Sequence, residues 1–157
     1  MPQKAFSSLP GSSYFEVLTS QSIMNKNYQL HLKSDFTEVE KVPDFVDRMS
    51  RETGLARNLK DRVLLALSEA VTNAIVHGNK EQTDKSVHVA VTVETSRVQM
   101  EVQDEGEGFD PSAIPDPTAE ENLLAEGGRG LFLIETYADS IDYLDQGRLV
   151  RMVFRRK

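Results

Sequence analysis

Apolar and polar residues alternate through two neighbouring stretches near the middle of the chain. Val87, Val89, Val91 and Val93 are separated by His88, Ala90 and Thr92, and beyond Thr95-Ser96 the alternation resumes at Val98, Met100 and Val102. A period of two puts alternate side chains on opposite faces of a strand, so these runs predict an antiparallel hairpin with one apolar face. Tyr28 to Leu32 alternates in the same way and predicts a first strand. Ile141 to Tyr143 and Leu149 to Phe154 predict two closing strands around a turn at Gln146-Gly147.

Elsewhere the period lengthens. Leu59, Val63, Ala66, Leu67, Ala70, Ala74 and Ile75 recur at intervals of three and four, which predicts the buried face of a helix with Asn58 as N-cap and Gly78 at its end. Val39, Val42, Val46 and Met49 predict a helix from Thr37 to about Thr53, stopped by Gly54. Pro43 fits that helix only within its first turn, where a missing N–H costs nothing. Leu131 to Ala138 predicts a short helix. Residues 1 to 26 are rich in Ser and Gln and read as a tail or arm. Residues 109–128 are rich in Gly, Pro and acidic side chains and read as a long loop of the kind that forms functional lids.

One stripe interrupts the apolar pattern. Glu69, Asn73 and His77 are spaced by four within the helical run, so on a regular helix they share a face and drift by only about 80° over two turns. A carboxylate can act as a base and an amide oxygen can hold a hard cation. His77 reads either as a phosphate contact or as a residue closing the helix before glycine.

Composition narrows the chemistry. With 157 residues the chain is most simply one domain. The net charge of −7 argues against nucleic acid, since phosphate contacts need clustered Lys and Arg. The absence of cysteine excludes disulfides, zinc-thiolate sites and cysteine nucleophiles. No run approaches the roughly 18 apolar residues of a membrane helix, and no signal peptide is evident, so the expectation is a cytoplasmic protein that meets neither membrane nor nucleic acid.

Two further motifs follow the stripe. The second strand of the hairpin runs into Asp104-Glu105-Gly106-Glu107-Gly108-Phe109. An Asp at a strand end is placed to accept from an amino group such as the exocyclic amine of adenine, and glycines after it let backbone approach a ligand. Gly127-Gly128-Arg129-Gly130 opens the helix that begins at Leu131. Exposed N–H groups at a helix start suit phosphate. Arg129 either neutralises phosphate charge or faces solvent. An amine acceptor, a metal-binding amide and a phosphate cradle describe a Mg-nucleotide site. There is no Gly-Lys-Ser/Thr phosphate loop, no third glycine of a dinucleotide fingerprint and no protein-kinase motif set.

In this order the motifs resemble the GHKL ATP-binding family, and most of all the bacterial anti-sigma-factor serine kinases of partner-switching systems. The resemblance covers roughly residues 28–155. It implies the Bergerat fold, an α+β two-layer sandwich with a mixed, mainly antiparallel sheet and helices packed on one face. It implies Glu69 as general base and Asn73 as the Mg²⁺ ligand. It places Asp104, Gly106, Gly108 and Phe109 around adenine, and Gly128, Arg129, Gly130 and Leu131 around the phosphates of ATP or ADP. It further implies a STAS-type anti-anti-sigma partner, a sigma factor or other response regulator as an alternative partner, and a possible homodimer. A non-catalytic module in which nucleotide controls sequestration is the rival expectation.

Overall fold

The computed structural model describes residues 24–110 and 134–157. Five strands form one sheet in the order β1-β2-β3-β5-β4: β1 (Asn25–Lys33), β2 (Ser86–Glu94), β3 (Arg97–Gln103), β4 (Ser140–Leu144) and β5 (Leu149–Arg155). All four pairings among the described residues are antiparallel, in keeping with the mainly antiparallel sheet that the motifs imply. The predicted hairpin forms with Val89 opposite Val102, Val91 opposite Met100 and Val93 opposite Val98.

The alternation is realised face by face. Val87, Val89, Val91, Val93, Val98, Met100 and Val102 are buried, joined by Tyr28 and Leu32 of β1 and by Met152 and Phe154 of β5. Against this face pack α1 (Lys41–Thr53) and α2 (Arg57–Asn73), which contribute Val42, Phe45, Val46, Met49, Leu59, Val63, Leu67 and Val71 to the same core. Apolar burial of this kind stabilises by roughly 25 cal/mol per Å² removed from water. The other face of the sheet carries polar groups, including a Glu101–Arg151 ion pair of 2.8 Å. On it His31 and His88 lie opposite each other, rings stacked with centroids 4.2 Å apart. Burial, then the neighbouring His31, holds His88 below the usual imidazole range.

The helix boundaries differ from expectation in three places, each for a local reason. The segment from Thr37 divides: Phe36–Glu40 is a 3₁₀ turn, capped by the Asp35 carboxylate accepting from the Thr37 N–H at 2.9 Å, and the α-helix begins at Lys41. Pro43 therefore falls in the first turn of α1, where its missing N–H leaves no bond unmade. Gly54 ends α1 with φ of 65°, its N–H donating to the Ser50 carbonyl. Asn58 is not the N-cap of α2. Ala56 occupies that position in an extended conformation, and Asn58 lies inside the first turn, accepting from the Leu59 N–H.

The third difference bears on function. α2 stops at Asn73, and Ala74–Gly78 continues as a π turn. The Asn79 N–H reaches back five residues to the Ala74 carbonyl at 2.8 Å. Single π turns inside or after α-helices are uncommon and concentrate at functional sites. Residues 134–137 are helical, the described part of the predicted helix from Leu131. No helix among the described residues is long and apolar enough to cross a membrane.

Candidate functional site

A cleft of about 230 Å³ opens where the end of α2 meets β3 and the β4–β5 hairpin. Ala70, Ala74, Val102, Ile134 and Val150 make its walls apolar, while Asn73, Asp104 and Tyr143 supply polar groups. It is smaller than the roughly 300–1,000 Å³ of drug-sized sites, so it accommodates a base-sized group rather than a whole nucleotide.

Asp104 follows directly on β3 and is held from three directions. Its own N–H donates to the Arg148 carbonyl at 2.9 Å, the Gly106 N–H donates to its Oδ1 at 2.8 Å, and Gly78 of the π turn packs against its carboxylate. A methyl group at Gly78 would sit 2.5 Å from the Asp104 carboxyl, and one at Gly106 would sit 2.0 Å from the Gly78 carbonyl oxygen. The two glycines thus let three chain segments meet at one carboxylate. Burial pushes the Asp104 carboxyl above the usual range, and the Gly106 N–H and the Arg148 charge offset this in part. A half-buried carboxylate of this kind is a strong acceptor for a ligand N–H.

Gly108 and Phe109 continue the wall. Gly108 has φ of 79°, and a Cβ there would meet the Gln146 carbonyl oxygen at 2.2 Å. The Phe109 N–H donates to that same carbonyl at 2.9 Å. The Phe109 ring meets Tyr143 edge to face, centroids 5.5 Å apart. Burial, with Glu135 nearby, pushes the Tyr143 phenol up to about 12, so it stays neutral at ordinary pH.

The polar stripe divides. Asn73 and His77 line the cleft, although His77 lies within the π turn and is exposed to solvent. Glu69, one turn earlier on α2, is half-buried and is not among the residues lining the cleft. Gly128, Arg129, Gly130 and Leu131, and nearly all of the expected lid, lie outside the described residues.

Sequence reasoning missed Tyr143, Arg148 and Asn79. Tyr143 was visible only as a strand residue, because nothing in an alternating pattern says which face reaches a cleft. Asn79 follows Gly78 and was read as beyond the helix, yet it is fully buried and cross-links four segments.

Two buried polar atoms at this cleft, Asn73 Nδ2 and the Tyr143 hydroxyl, have no partner among the described residues. Buried polar groups are rarely left unsatisfied, so these two atoms are available to a bound group at the cleft. With the Asp104 acceptor and the apolar walls, this donor and acceptor set fits the base end of an adenine nucleotide. Among the described residues no group of three or more His, Cys, Asp or Glu side chains could hold a metal by itself. A magnesium ion here would rest on the Asn73 amide oxygen and on the phosphates of its nucleotide.

Residues 32–154 match the family described as Histidine kinase-like ATPase domain. A serine-protein kinase RsbW of Staphylococcus epidermidis is 33% identical over 97 residues, covering 57% of this chain and 61% of the relative. The chain thus spans about three fifths of the length of the staphylococcal relatives it matches. A serine-protein kinase RsbW of Listeria monocytogenes is 27% identical over 131 residues, covering 79% of this chain and 82% of the relative. The fold is similar to the crystal structure of the RsbU and RsbW domains of Rv1364c from Mycobacterium tuberculosis. That likeness has a TM-score of 0.59 at 16% identity and covers 84% of this chain and 32% of that one. The family match spans most of the chain and includes α1, α2, the cleft, β2 to β4, all but the last residue of β5 and only the end of β1, and the chain belongs to the histidine kinase-like ATPase domain family.

Proposed function

We propose that this chain is an anti-sigma-type serine/threonine protein kinase. It binds Mg-ATP through the cleft and transfers the γ-phosphoryl group to a serine or threonine of a STAS-type anti-anti-sigma protein. The observation that carries the reading is the Asp104 carboxylate, held at an apolar base-sized cleft by Gly78 and Gly106, with Asn73 beside it. The names of the staphylococcal and listerial relatives support the kinase half of the reading.

In this reading Asp104 accepts from the exocyclic amine of adenine, and Asn73 contributes its amide oxygen to magnesium. Glu69 takes the proton from the attacking hydroxyl as that oxygen bonds to the γ-phosphorus and the bond to the β–γ bridging oxygen breaks, leaving ADP. Gly128 and Gly130 present N–H groups to the phosphates, with Arg129 and Leu131 alongside. Magnesium, when bound, neutralises phosphate charge. The rest of the rate comes from positioning. A sigma factor or another regulator alternates with the STAS-type protein as the partner of this chain in the cytoplasm.

A second reading is a module that binds nucleotide and sequesters a partner without phosphoryl transfer, since Asn73 and Asp104 at the cleft serve binding alone equally well. Incubation with Mg-ATP and the STAS-type protein, followed by intact-mass measurement, separates the two. A gain of one phosphate on the partner, absent with Glu69→Ala, supports the kinase. A stable complex with no mass change supports the module.

A further inference from the structure

Asn79 is fully buried beside the cleft without lining it, and every polar atom it has is used. Its N–H donates to the Ala74 carbonyl, and its carbonyl accepts from the Gln82 N–H. Its side-chain Nδ2 donates to the Ser34 hydroxyl and, at 2.9 Å, to the Ser86 carbonyl. Its Oδ1 accepts from the Glu105 N–H at 2.7 Å. One carboxamide therefore ties the π turn to the chain leaving β1, to the start of β2 and to the loop that follows β3.

The bond to Glu105 is the consequential one. That N–H belongs to the peptide joining Asp104 to Glu105, so fixing it fixes the plane immediately after Asp104. The next N–H, of Gly106, is the one that grips Asp104 Oδ1. Glu105 is anchored a second time, its carboxylate accepting from the Ser86 N–H at 2.6 Å. Gly78 packs against the Asp104 carboxylate from the other side, one residue before Asn79. Two of the contacts that set the direction of the Asp104 carboxylate thus originate in residues 78–79, beside the bonds to Arg148 and Gly106.

We infer that Asn79 is a positioning residue for base recognition: its Oδ1 holds the Asp104–Glu105 peptide so that the Asp104 carboxylate faces the amino group of a bound adenine. The inference rests on the nucleotide reading above. Asn79 touches no ligand itself. Its contribution is the alignment of an acceptor, and alignment matters most for the one ligand group that uses that acceptor.

The test compares two probes by calorimetry on the full chain: ADP, and purine riboside 5′-diphosphate, which lacks only the 6-amino group. Loss of a hydrogen bond to a charged group costs about tenfold or more in affinity, so the wild type should prefer ADP by about that ratio. In Asn79→Ala the ratio should fall to about one, with binding of the amino-less probe within about twofold of wild type. Asn79→Ser gives the same readout should the alanine variant not fold. Ser34→Ala removes a different partner of the same carboxamide and leaves Glu105 held, so it should lower thermal stability and leave the ratio intact. A wild-type ratio retained in both Asn79 variants overturns the inference while leaving the nucleotide reading standing. Failure of the wild type to bind either probe overturns both.

Discussion

Gly78 and Asp104 are in such close apposition that no side chain fits between them. A methyl group at position 78 would lie 2.5 Å from both Cγ and Oδ2 of the Asp104 carboxyl. Gly78→Ala should therefore push the carboxylate out of line, since the backbone on either side is pinned by Arg148 and Asn79. ADP affinity should fall about tenfold or more, the scale of one charged hydrogen bond. Calorimetric titration of the folded variant is the check, and unchanged affinity would show that Asp104 does not read the base.

Protonation should silence the same carboxylate. Burial raises the Asp104 pKa in the folded protein, so it loses its charge at a higher pH than an ordinary aspartate. Nucleotide binding should weaken as pH falls through that raised value, at a higher pH than an ordinary aspartate in its place would give. The sign for folding is the reverse. A raised carboxyl pKa means the native state binds the proton more tightly, so this group lowers stability above its folded pKa and ceases to as pH falls. Asp104→Asn should bind ADP weakly at every pH and flatten the affinity profile.

At the alkaline end two tyrosines govern. Tyr28, buried and donating to Glu52 at 2.9 Å, is pushed up to about 12, as is Tyr143. Both native phenols hold their protons more tightly than unfolded ones. The stability they contribute is complete below the ordinary tyrosine value of about 10 and is lost as pH rises from there through about 12. Denaturant unfolding across this window should show a steep decline that is shallower in Tyr143→Phe. An equal slope in the variant would exclude Tyr143 from the effect.

The corner after the π turn carries strain that can be relieved. Lys80 and Glu81 have φ of 53° and 54°, a region in which a side chain costs about 1–2 kcal/mol. Lys80 is exposed, and its ion pair with Glu107 is long at 3.9 Å. Lys80→Gly should raise stability by about 0.5–1 kcal/mol, after the extra flexibility of glycine in the unfolded chain is subtracted. A lower melting temperature in that variant would show that the ion pair outweighs the strain.

Most of the sheet was legible because burial on one face enforces a strict alternation. Val87 to Val93 and Val98 to Val102 could not shift by one residue without turning seven apolar side chains to solvent. Asn73 and Asp104 were legible because polar residues at the edge of apolar runs need a reason. What stayed hidden was whatever a one-dimensional period cannot encode. The π turn changes the angular step after Asn73, so a stripe drawn at regular spacing overstated the kinship of Glu69 and His77. Asn58 looked like a cap because asparagine often is one, yet the extended backbone at Ala56 decided where α2 begins. The bonds of Asn79 to Ser34 and Glu105 join residues 45 and 26 positions apart, a distance no local pattern spans.

The π turn from Ala74 to Gly78 also sets how this segment tolerates a change of length. Such a turn is an α-helix carrying one residue too many. The wider winding takes up that residue and still delivers Gly78 to the Asp104 carboxylate and Asn79 to the Glu105 N–H. The length of this segment is therefore set from two sides, by the cleft and by the fully buried Ile75 within the turn. A chain shortened by Ile75 should lose a core side chain as well as the turn, and its melting temperature should fall together with its affinity for the base.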